Sequence, residues 1–150
     1  MFLVRDSAQQ REEKIEQMLK EDPAIGVLIA SAHFEWVLRR AIINLSDRPN
    51  REIRAKMETE RWHGLDGYKR AWKDLVKPKT NMTLPQIIDN WSVLGGALML
   101  RHKLIHGVES CSKPYATEKA RCILAAANCV IEFSKNQGFD VMKRLKVRKK

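Results

Sequence analysis

An all-α fold in a single domain is what the 150-residue sequence predicts. Helix start and stop signals recur along the chain, and no stretch alternates apolar and polar residues as a half-buried strand does. A hydrophobic fraction of 44% is enough for one real core, so disorder is not the default.

Residues 6–21 are charged and poor in β-branched side chains, the pattern of an exposed first helix. Asp22-Pro23 then places an acceptor at a cap and a proline in the first turn, where its missing N–H is harmless. The second helix runs to about Leu45 and ends at Ser46-Asp47-Arg48-Pro49. Asn50 can cap a shorter helix to about Trp62, with Gly64 as its stop, and another helical piece covers about 66–76. Thr83-Leu84-Pro85 opens a long helix expected to reach His106, with Gly107 as terminator. After Lys113-Pro114 comes the last long helix, about 115–136, closed by Gly138. Residues 1–142 are thus expected as one helical domain, followed by a basic tail at 143–150.

The charge balance points to a partner. Against 18 Asp and Glu stand 28 Lys and Arg, a net of +10, and six basic residues lie in the last eight positions. A polyanion is the first partner this suggests, and contacts to its phosphates are sequence-independent and weakened by salt. No apolar run approaches the roughly 18–20 residues of a membrane span. With no basic leader before a long apolar stretch, the expectation is a cytoplasmic protein without membrane contact. Three cysteines without a CxxC pair read as reduced thiols, and Cys122 and Cys129 as small core residues. Trp36 and Trp91 fall on or beside apolar stripes and read as core, whereas Trp62 and Trp72 lie among basic residues and are the better candidates for a surface role, with burial still the favoured reading for both.

Two helices carry polar residues where apolar ones are expected. In the second helix Ile25, Leu28, Ala32, Glu35 and Ile42 fall near one stripe, so Glu35 either stands at a wet edge, pairs with Arg39 at i+4, or has a partner elsewhere. In the helix at 85–106 the stripe reads Ile87, Trp91, Leu94, Leu98, then Arg101, then Ile105. His102 and His106 gather beside that arginine. Because Arg101 and His106 lie roughly 140° apart around an ideal helix, only a groove between helices or subunits would bring both to one point. Gly95-Gly96 inside this helix costs roughly 1 kcal/mol per glycine and suggests close backbone approach within the bundle or across a dimer contact.

The segment Arg101-His102-Lys103-Leu104-Ile105-His106 resembles the Arg-x4–6-His motif of the HEPN superfamily. A polar residue follows the arginine, Gly107 follows the histidine, and an earlier helix carries an acidic residue within Ala32-His33-Phe34-Glu35-Trp36-Val37-Leu38-Arg39. The resemblance implies an up-and-down bundle of about four to six helices, usually a homodimer, that cleaves RNA without a metal or cofactor. It makes Arg101 and His106 the catalytic pair, with His102 and Glu35 in support. Where related toxins paired with a nucleotidyltransferase carry a tyrosine two residues after the histidine, this chain has Val108. That favours the His-Gly branch found in defence and mobile-element proteins, and any antitoxin or regulatory protein would act in another way.

The chemistry fits these side chains. RNA cleavage by its own 2′-OH needs a base, a cation for the charged phosphorane, and an acid for the leaving 5′-oxygen. Imidazole, ordinarily titrating near pH 6.5, serves as either proton carrier, and the guanidinium fork matches phosphate oxygens. Lys103, Lys143, Arg144, Lys146, Arg148, Lys149 and Lys150 are the expected RNA-backbone contacts. Two other readings compete. One is a non-catalytic module of the same fold that binds nucleic acid or a protein, and the other a basic DNA-binding accessory protein of a mobile element.

Overall fold

Ser7 starts the first helix with reciprocal bonds: its hydroxyl accepts from the Gln10 N–H at 3.2 Å, and Gln10 Oε1 accepts from the Ser7 N–H at 2.8 Å. A computed structural model describes residues 2, 6–62, 64–108, 110–145 and 147–148. Among them are eight helices and no strand: α1 (Ala8–Glu21), α2 (Pro23–Leu45), α3 (Asn50–Thr59), α4 (Gly64–Leu75), α5 (Lys77–Thr80), α6 (Leu84–Ile87), α7 (Trp91–Ile105) and α8 (Lys113–Asn136). The all-α expectation holds. Asp22 Oδ1 accepts from the Ala24 and Ile25 N–H groups at 3.1 and 3.3 Å, which is the cap its position before Pro23 predicts.

The chain divides into two units, Met1–Trp36 with Asn90–Ala127, and Val37–Asp89 with Asn128–Lys150. Both α2 and α8 contribute residues to each unit. In the first unit α1 is not simply an exposed helix, because Arg11, Ile15 and Leu19 are buried on one face. Leu19 packs so close to α2 that a Cβ on Gly26 would lie 2.6 Å from its Cδ2. A two-toothed ion pair from Arg121 to Glu16, at 2.8 and 3.2 Å, joins α8 to α1.

In the second unit, Tyr68, Ala71, Trp72 and Leu75 follow helical spacing and form the buried face of α4. The two tryptophans offered as the better surface candidates take no surface role. Trp62 and Trp72 are 4% and 0% exposed, and their indole N–H groups donate to Glu60 Oε2 and to the Met82 carbonyl, each at 3.0 Å. Trp36 and Trp91, expected as core, are half-buried. The basic neighbours misled because Lys69, Arg70 and Lys73 occupy the opposite, exposed side of the same helix.

The expected long helix from 85 to 106 is broken. Ile87 and Ile88 are both buried, and Ile88 leaves helical geometry at φ −91°, ψ 107°. The chain restarts at Asn90, whose side-chain amide donates to the Cys122 carbonyl of α8 at 2.9 Å. Gly64 opens α4 at φ +59° instead of merely ending α3. Cys122 and Cys129 are half-buried rather than fully core, and all three cysteines are free thiols.

Candidate active site

Every residue of the candidate site belongs to the first unit. On α7, Leu94, Ala97 and Leu100 are buried at helical spacing, which leaves Arg101 at the edge of that face and His102 and His106 on the exposed side. The last turn is fixed by the main chain. The Gly107 N–H donates to the Leu104 carbonyl at 3.3 Å, the Val108 N–H to Lys103 at 3.1 Å, and Gly107 takes φ +62°. This pair of bonds closes the helix with its glycine in the left-handed region, as the sequence predicts.

On α2 the buried line is Val27, Ala30, Phe34, Leu38, Ala41 and Ile42. Ile25 and Ala32 are exposed and Glu35 is half-buried. The carboxylate is thus not set within a buried stripe but stands at its edge, one position beyond Phe34. The structure pairs it with Arg101, Nη2 to Oε1 at 3.9 Å, an ion pair between α2 and α7. Arg39 is engaged elsewhere, its Nε donating to the Tyr68 hydroxyl at 2.8 Å, so the local i+4 pairing does not form. His102 and His106 meet ring to ring, centroids 4.4 Å apart at an interplanar angle of 55°.

Two pairs result, Arg101 with Glu35 and His102 with His106. A guanidinium oriented by a carboxylate retains donors for a phosphate. Two accessible imidazoles within one turn can carry protons. Among the described residues no group of three His, Cys, Asp or Glu stands together to hold a metal ion.

One feature of this helix becomes visible only in the fold. Gly95 and Gly96, Met99, His102 and His106 continue one another at three- to four-residue spacing, and all are exposed. A Cβ on either glycine would meet no atom within 4 Å, and Met99 is 54% exposed. The glycine pair was the visible signal.

The expected RNA-backbone contacts divide. Lys143 and Arg144 are exposed, and Lys103 is half-buried. Arg148 is not a free tail cation: its guanidinium donates to the carbonyls of Ile43, Asn44 and Arg48 at the end of α2. A helix C-terminus attracts a cation, which accounts for that placement. Lys146, Lys149 and Lys150 lie outside the described residues. Among known proteins, no family model, no curated protein and no solved structure matches the chain.

Proposed function

We propose that the protein is a metal-independent endoribonuclease, working as a homodimer in the cytoplasm in a toxin or anti-phage and mobile-element defence role. The observation that carries this reading is the Glu35–Arg101 pair beside the accessible His102–His106 pair at the fixed end of α7. The resemblance to the HEPN superfamily supplies the reaction. One imidazole removes the 2′-OH proton as that oxygen attacks the adjacent phosphorus, and Arg101 stabilises the charged phosphorane. A second imidazole protonates the departing 5′-oxygen. The products are a 2′,3′-cyclic phosphate and a 5′-hydroxyl. Incubation of purified protein with RNA in EDTA should give those ends. Cleavage that stops in EDTA and returns with a divalent cation would overturn the reading.

The dimer rests on the first unit. Among the described residues, six of the seven exposed large hydrophobic side chains lie there: Ile25, Val93, Met99, Ile105, Val108 and Tyr115. Two helical glycines cost roughly 1 kcal/mol each relative to alanine, and among the described residues nothing lies within 4 Å of a Cβ added to either. A second copy seated on this line would give the glycines a purpose and set two Arg101 and two His106 around one groove. Gly95→Leu and Gly96→Leu should shift the solution mass from dimer to monomer and abolish cleavage, with helix content unchanged. Unaltered dimers in both variants would remove α7 from the interface.

A further inference from the structure

The two units differ sharply in charge. The first holds nine Lys and Arg against nine Asp and Glu, whereas the second holds 19 against nine and so carries the whole net +10. Part of this charge is strapped in place by contacts between residues about 100 positions apart. Arg40 of α2 donates from Nε to the Val141 carbonyl at 2.6 Å and from Nη2 to the Lys143 carbonyl. Arg148 donates to three carbonyls at the end of the same helix. Burial pulls both guanidinium groups below their ordinary pKa, so the strap is made against an electrostatic cost.

Three carboxylates of this unit already face cations. Asp47 pairs with Lys79, Glu52 with Arg48 at 3.0 Å, and Asp140 faces Arg40. Arg51 and Arg54, one turn apart at the start of α3, are exposed, as are Lys143 and Arg144. These four have no ion-pair partner among the described residues. Unpaired like charges carried by one unit are unfavourable alone and become favourable when a polyanion covers them.

We propose that this end of the second unit, presenting Arg51, Arg54, Lys143 and Arg144, binds the phosphate backbone of single-stranded RNA. The role deepens the proposed ribonuclease function by separating the residues that hold the substrate from those that cut it. Arg40 and Arg148 are positioning residues, since they hold the tail backbone and leave Lys143 and Arg144 outward.

The test uses a fluorescent 2′-O-methyl RNA, which lacks the attacking hydroxyl, so binding is read whether or not the protein is a ribonuclease. Replacing Arg51, Arg54, Lys143 and Arg144 together with Gln should weaken binding at least tenfold at low salt. The slope of log affinity against log salt should flatten by about 3, for four lost contacts at roughly 0.7 each. Wild-type affinity and slope in the fourfold variant would overturn the surface while leaving the cleavage reading intact. Displacement of the RNA by poly-glutamate at equal charge concentration would also overturn it, by assigning the surface to acidic proteins. Should the fourfold variant fold poorly, the Arg51→Gln/Arg54→Gln and Lys143→Gln/Arg144→Gln pairs divide the same slope change.

Discussion

His106→Ala should lower the RNA-cleavage rate by about 10²–10⁴-fold, the usual contribution of a positioned proton carrier. The loss should be chemical rather than structural. His106 caps α7 through its backbone, while Gly107 and Val108 close the helix by main-chain bonds that need no imidazole. Its ring contact is with His102, itself exposed. Removing the ring should therefore change stability by less than about 1 kcal/mol. Cleavage kinetics and a thermal melt on the same sample separate the two effects. A wild-type cleavage rate in His106→Ala would end the assignment, and a collapsed melting temperature would make the residue structural. Glu35→Gln offers a graded comparison, because Glu35 acts through Arg101: it should slow cleavage less than Arg101→Ala does.

Much of the local punctuation was legible because single residues enforce it. Asp22 before Pro23, Gly107 and Gly138 act through backbone geometry that depends little on tertiary context. The face of α2 was harder to place. That helix is apolar almost all round, so Ile25-Leu28-Ala32 and Val27-Ala30-Phe34 are equally good stripes until α1 and the rest of the first unit cover one of them. The same ambiguity hid the interruption at Ile88, where both isoleucines suit a buried helix. Glu35 and Arg101 were individually visible as polar residues in apolar surroundings. Their pairing needed the fold, since 66 positions separate them. The charge segregation could not be read along the chain at all, because each unit is assembled from two separate segments.

Acid should destabilise the protein between about pH 6.5 and pH 4, with His33 as the largest single contributor. Its ring is 2% exposed, lies nearly parallel to Trp36 at 6.3 Å, and meets Phe2 at 5.8 Å. The Arg11 guanidinium sits over Trp36 at 3.8 Å and over Phe2 at 4.6 Å, bringing a positive charge into the same cluster. Among the described residues, His33 Nδ1 has no hydrogen-bond partner to stabilise a proton. Burial, then the charge of Arg11, pull the pKa from 6.5 to about 4. A base with a depressed folded pKa binds fewer protons folded than unfolded between those values, so stability rises with pH across that window. The full contribution is present above 6.5 and is lost by pH 4, a difference of roughly 3 kcal/mol. Denaturant midpoints from pH 7.5 to 4.5 should show this slope in the wild type and a much flatter one in His33→Phe, which keeps an aromatic ring in the cluster. Identical slopes would clear His33 of the effect. If His33→Phe fails to fold, following the His33 ring resonance in the wild type gives the same answer, because titration near pH 6.5 contradicts a neutral buried imidazole. Glu35 lies two residues further along α2, so loosening this cluster should disturb the Glu35–Arg101 pair and reduce cleavage in step with the acid-induced loss of stability.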